Sequence, residues 1–104
     1  MLITKQIRHL KKITQMNKVI YLITTYKCSA CKLQKHLLQT ALVGCDDIKF
    51  EECDFNDTPE FIKTNVKLTD FPTTVLVEND VIKYHFVGTK SVKAFNELMV
   101  DIKF

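Results

Sequence analysis

The chain has 104 residues, 46% hydrophobic and 26% charged, enough for one domain with its own core and too apolar for a disordered segment. Its formal charge of +3 rests on fifteen basic residues, of which only Arg8 is arginine, with no dense block beyond Lys11-Lys12. Such spacing reads as a solvated face and argues against a nucleic-acid surface, which would cluster Lys and Arg among exposed aromatics.

Ile3, Ile7, Leu10 and Ile13 or Thr14 recur at helical spacing and predict an amphipathic helix over residues 4 to 16. Charges interrupt this segment, so it lacks the core of a signal peptide, and no other stretch reaches transmembrane length. A cytoplasmic protein is therefore expected, in a compartment where a cysteine pair is more often catalytic or metal-binding than structural.

Val19 to Thr25 reads as a strand buried on both faces. Next come Tyr26-Lys27-Cys28-Ser29-Ala30-Cys31 and a helical stretch in which Leu33, Leu37, Ala41 and Leu42 form one stripe, ended near Gly44. Two cysteines three positions apart at a helix start can close a disulfide with little strain. The first would face unpaired backbone N–H groups that favour its thiolate.

Ile48 to Phe55 predicts a second strand, and Asp57-Thr58-Pro59-Glu60 a helix start with Asp57 as cap, Glu60 completing a capping box, and an end near Val66. Thr73 to Glu78 and Val81 to Val87 are strands joined by the two-residue turn Asn79-Asp80. Ser91 caps a last helix with Val92, Phe95, Met99 and Ile102 on one face. Phe50, Phe55, Phe61, Phe86 and Phe95 are core candidates. The order predicts an α/β architecture, a mixed sheet with parallel crossovers between the early strands and an antiparallel C-terminal hairpin, flanked by helices. Ligands of such sheets meet the carboxyl ends of the strands, where Cys28 falls.

A strand leading into Cys28-x-x-Cys31, a later Phe71-Pro72-Thr73 before the hairpin and Val87-Gly88 just after it together resemble the thioredoxin family over nearly the whole chain. The resemblance implies a thioredoxin-like fold whose first strand is reduced to at most Met1-Leu2-Ile3. It implies Cys28 as exposed nucleophile, Cys31 as buried resolving thiol, a cis Pro72 against the disulfide, and Gly88 lining a substrate groove with Tyr26, Lys27, Ser29, Ala30, Phe71 and Thr73. Expected partners are proteins carrying disulfides, with a flavin-dependent thioredoxin reductase or a low-molecular-weight thiol as electron donor. No bound cofactor or metal is required, and a monomer is expected.

The chain departs from the family pattern at several positions. Ser29-Ala30 stands where ordinary thioredoxins carry Gly-Pro, and Lys27 where they place tryptophan. Leu22 stands where a buried aspartate is expected, Phe71 where isoleucine precedes the cis proline, and His36 in place of a helix-kinking proline, which predicts a straighter helix.

The chemistry follows from the residues alone. A thiol at its ordinary pKa of about 8.5 is only about 3% thiolate at pH 7, and lowering it to about 7 gives more than a tenfold gain. The first thiolate forms a mixed disulfide with substrate, and the second thiol displaces it. The alternatives are a disulfide oxidant or isomerase, a glutaredoxin-like reductase disfavoured by the absence of paired glycines after Gly88, and a redox-silent interaction module. A zinc site from Cys28, Cys31, Cys45 and Cys53 is disfavoured because Cys45 falls beyond the far end of the helix.

Overall fold

The structure, a computed structural model, describes residues 17–104. The helix expected over residues 4 to 16 and the remnant strand at residues 1–3 lie outside the described residues. In chain order the elements are β1 (Lys18–Thr24), α1 (Ser29–Ala41), β2 (Ile48–Asp54), a 3-10 turn (Phe55–Asp57), α2 (Glu60–Asn65), β3 (Thr73–Glu78), β4 (Val81–Val87) and α3 (Val92–Asp101).

The strands form one four-stranded sheet in the order β2-β1-β3-β4. β1 is parallel to β2, and α1 is the crossover between them. β3 runs antiparallel to both β1 and β4, so the connection through α2 reverses the chain, and among the described residues the sheet has a single parallel pair. The two central strands carry the apolar runs: β1 buries Ile20, Leu22 and Ile23, and β3 buries Thr73 through Val77. Covered faces favour such continuous runs, whereas the outer strands are partly exposed.

Two cores result. On one face Ile20, Leu22, Leu76 and Phe86 pack with Leu38 of α1 and Phe95 of α3. On the other Ile23, Val75 and Val77 pack with Ile62 of α2 and Val66 just beyond it. The hairpin turn is as predicted, Asn79 and Asp80 both adopting positive φ (54° and 64°), the geometry that matches the twist of paired strands. Ser91 caps α3, its Oγ accepting from the N–H of Ala94 at 3.1 Å.

Four sequence expectations are corrected. The buried stripe of α1 is Cys31, Gln34 and Leu38, while Leu33 is 52% exposed. Asp57 does not cap α2: Asp54 caps the preceding 3-10 turn by accepting from Asn56 N–H at 3.0 Å, and Pro59 occupies the α2 N-cap without a side-chain bond. β2 therefore ends at Asp54, one residue short of the expected Phe55. Phe55 leaves the core and stacks edge-to-face on Phe71, with ring centroids 5.5 Å apart.

Candidate active site

The site begins where β1 stops. Thr25 to Lys27 turn the chain, with Lys27 in the left-handed region (φ 54°), and Cys28 takes the N-cap of α1 in an extended conformation. Its Sγ accepts the N–H of Cys31 at 3.1 Å, doing for the first turn what a Ser or Asp oxygen does at other helix starts. Cys28 and Cys31 are joined as a disulfide with Cα atoms 5.2 Å apart. The two sulfurs differ in surroundings: Cys28 is half-buried, whereas Cys31 is 3% exposed.

The local field favours negative charge on Cys28. The first turn of α1 contains no acidic residue, and Lys27 and Lys32 are both exposed beside the motif. Lys27 Nζ lies 5.5 Å from the centre of the Tyr26 ring, which is itself 83% exposed. Ser29 and Ala30 are exposed as well, so the disulfide sits on an open surface rather than in a pocket.

The remaining candidate residues converge through the sheet register. Thr73, the first residue of β3, pairs with Ile23 near the end of β1 and with Val87 at the end of β4. Phe71-Pro72 before it and Gly88 after Val87 therefore lie at the same end of the sheet as Cys28. The Phe71-Pro72 bond is cis. Gly88 (φ 89°) donates its N–H to Pro72 O at 2.8 Å, locking the two loops together. Among the described residues the backbone N–H and C=O of Phe71 make no hydrogen bond. Thr73 is fully buried, its hydroxyl donating to Asp70 O at 2.7 Å, so its side chain shapes the loop from inside.

The sequence reading missed Gln34. It lies one turn after Cys31, is fully buried, and accepts the N–H of Lys90 at 2.9 Å through Oε1. This bond ties the cysteine-bearing helix to the segment that follows Gly88. The available signal was its spacing from Cys31 and Leu38, which puts a polar residue on the buried face. His36 is exposed, and α1 continues through it without interruption to Ala41. Cys45 and Cys53 are free and half-buried, and Cys53 pairs with Ile23 near the end of β1. Burial pushes the Cys53 thiol pKa up, with further contributions from Glu51, Asp57 and Glu52. Among the described residues no helix is long and apolar enough to cross a membrane.

No protein-family model and no curated protein sequence matches the chain. Solved structures do. Oxidised mitochondrial thioredoxin 3 from Saccharomyces cerevisiae is 23% identical and superimposes with a TM-score of 0.67 over 94% of this chain and 89% of its own. Chloroplastic thioredoxin z is 17% identical with a TM-score of 0.67, covering 94% of this chain and 88% of that one. Thioredoxin-2 of the malaria parasite is 17% identical with a TM-score of 0.65, covering 84% and 82%. With its mixed sheet, its cysteine pair at the start of α1 and its cis Phe71-Pro72 loop, the chain has the thioredoxin fold.

Proposed function

We propose that the chain is a thiol–disulfide oxidoreductase that reduces disulfides in other proteins. The observation that carries this reading is the asymmetry of one couple: a half-exposed Cys28 at a helix N-cap, bonded to an enclosed Cys31. In the reduced protein the Cys28 thiolate attacks a substrate disulfide, and the substrate sulfur that leaves takes up a proton. Cys31 then attacks Cys28 in the mixed disulfide, the intramolecular bond closes, and the second substrate sulfur departs as a thiol. Two electrons pass to the substrate. The unpaired backbone of Phe71 beside the couple suits an extended substrate segment, which would add main-chain hydrogen bonds at that point.

The working setting is cytoplasmic, with electrons returned by a flavin-dependent thioredoxin reductase or a low-molecular-weight thiol. The deciding experiment is an equilibrium titration of the Cys28–Cys31 couple in defined thiol–disulfide buffers, read by alkylation and mass spectrometry. A potential near about −270 mV supports a reductant, and one well above about −200 mV replaces it with an oxidant or isomerase. Failure to form a reversible disulfide would leave a redox-silent interaction module.

A further inference from the structure

Two polar side chains lie in the core beneath α1 with a hydrogen-bonding group unused. Gln34 and Thr74 are both fully buried, and among the described residues Gln34 Nε2 and Thr74 Oγ1 find no partner. Buried polar atoms are nearly always paired, so two orphans in one small domain require a reason. The amide orientation of Gln34 is fixed by its other end: only the oxygen can accept the N–H of Lys90, so Nε2 is the group turned elsewhere.

Both residues lie in the layer between the sheet and α1, the helix that carries the enclosed half of the cysteine couple. Gln34 follows Cys31 by one turn on the buried face of α1, a spacing that puts their Cβ atoms about 5–6 Å apart. Thr74 is the second residue of β3 and pairs with Leu22 of β1 and Phe86 of β4, both of which face the α1–α3 layer. Leu22 is the third residue from the end of β1, and only four residues separate that end from the start of α1. The first turns of α1 thus lie over the Leu22–Thr74 level of the sheet. Leu22, Thr74, Phe86 and Phe95 on the elements packed against this part of α1 carry no charge. The nearby lysines Lys27 and Lys32 are exposed, and Lys35 and Lys90 partly so.

We propose that Gln34 and Thr74 are positioning residues for the resolving step, enclosing between them one water molecule that donates a hydrogen bond to the Cys31 sulfur. A buried water takes two to four polar partners, and Gln34 Nε2, Thr74 Oγ1 and the Cys31 sulfur would supply three. Gln34 Nε2 and the Thr74 hydroxyl both donate to the water oxygen, occupying its two lone pairs. The water is left able only to donate, and its donation favours Cys31 as thiolate, the form that attacks. In that attack the Cys31–Cys28 bond forms and the bond from Cys28 to the substrate sulfur breaks. The proton lost by Cys31 is matched by the one the departing substrate thiolate takes up, and the water, amide and hydroxyl are unchanged.

This inference rests on the oxidoreductase reading, and the test separates the two. Thr74→Val and Gln34→Met remove each polar group at nearly constant shape. Titration of the reduced protein, followed through the Cβ shift of Cys31, should show its pKa raised by about one unit in Thr74→Val, a tenfold loss of thiolate at neutral pH. Resolution of a preformed mixed disulfide should slow about tenfold at pH 7 and recover at high pH. The rate of first attack by Cys28 should be unchanged, and Thr74→Ser should restore resolution. Because Gln34 also anchors Lys90, Thr74→Val decides the matter if Gln34→Met does not fold. An unshifted Cys31 titration in a folded Thr74→Val overturns the proposal, whether or not the wild type cycles. A wild type that forms no mixed disulfide overturns the oxidoreductase reading itself.

Discussion

The backbone N–H of Cys31 donates to the sulfur of Cys28, so the atom that caps α1 is also the more exposed half of the couple. After reduction that sulfur sits at the positive end of the helix with no acidic side chain in the first turn. Both features favour its thiolate, as at other helix-start cysteines. In the reduced protein, iodoacetamide should label Cys28 at pH 7 more than ten times faster than Cys53, measured by peptide mass spectrometry over time.

The two sulfurs should also differ in what their loss does. Cys31→Ser leaves the attacking thiol without a resolver and should accumulate a stable mixed disulfide with substrate at Cys28. Cys28→Ser should abolish both adduct and turnover. A Cys31→Ser protein that forms no adduct, or a Cys28→Ser protein that does, would reverse the assigned roles.

Cys53 and Tyr21 titrate upward, each chiefly because burial disfavours its charged form. Between the unfolded and the raised folded pKa the native state holds more protons than the unfolded chain, so stability falls as pH rises. The advantage of the protonated forms is complete at neutral pH and is lost as pH rises through the unfolded and then the raised folded value of each group. The urea midpoint should therefore decline from pH 8.5 to 10.5, and less steeply in Cys53→Ala.

Phe95 is 1% exposed and joins α3 to Phe86 of the sheet, with ring centroids 6.2 Å apart. Phe95→Ala should cost about 3–5 kcal/mol, a large share of the stability of a domain this size. The surface pair Lys35–Glu52, at 3.0 Å and about 40% exposed on each side, should contribute less than about 1 kcal/mol. Urea unfolding of Phe95→Ala and Lys35→Ala side by side checks both.

Gly88 has φ 89° and open space where a Cβ would stand. Gly88→Ala should thus cost only the backbone penalty of the left-handed region, about 1–2 kcal/mol, with no steric clash. Its melting temperature should drop by about 4–8 °C per kcal/mol, and a much larger loss would mean that the link between the Gly88 and Pro72 loops had broken.

The elements most legible in the sequence were those whose signal is local. The apolar run of β1, the Asn79-Asp80 turn and the Ser91 cap each specify their own backbone, and all three occur as expected. The resemblance to the thioredoxin family singled out Cys28, Pro72 and Gly88, and the sheet register brings these three segments to one end of the sheet. What was not legible depends on partners distant in the chain. Gln34 was not singled out because the N–H that satisfies its oxygen lies 56 positions later. Phe55 looked like core because nothing nearby reveals that Phe71 receives it at the rim. The direction of β3 was likewise hidden, since a helix before a strand is compatible with either sense until the register with β1 is known. Asp57, expected to cap α2, is drawn instead into the 3-10 turn that Asp54 caps, which leaves Pro59 at the α2 N-cap.

The register of the β3–β4 hairpin slips once: Leu76 faces Tyr84 while Val77 faces Ile82, leaving Lys83 unpaired on the outer strand. A strand of another chain approaching β4 would meet that slip and a lysine in the middle of the edge, with only short in-register runs on either side. Interruptions of this kind blunt a sheet edge against runaway strand addition. An extended polypeptide is therefore poorly received along β4, in contrast to the backbone of Phe71, whose N–H and C=O are unpaired among the described residues.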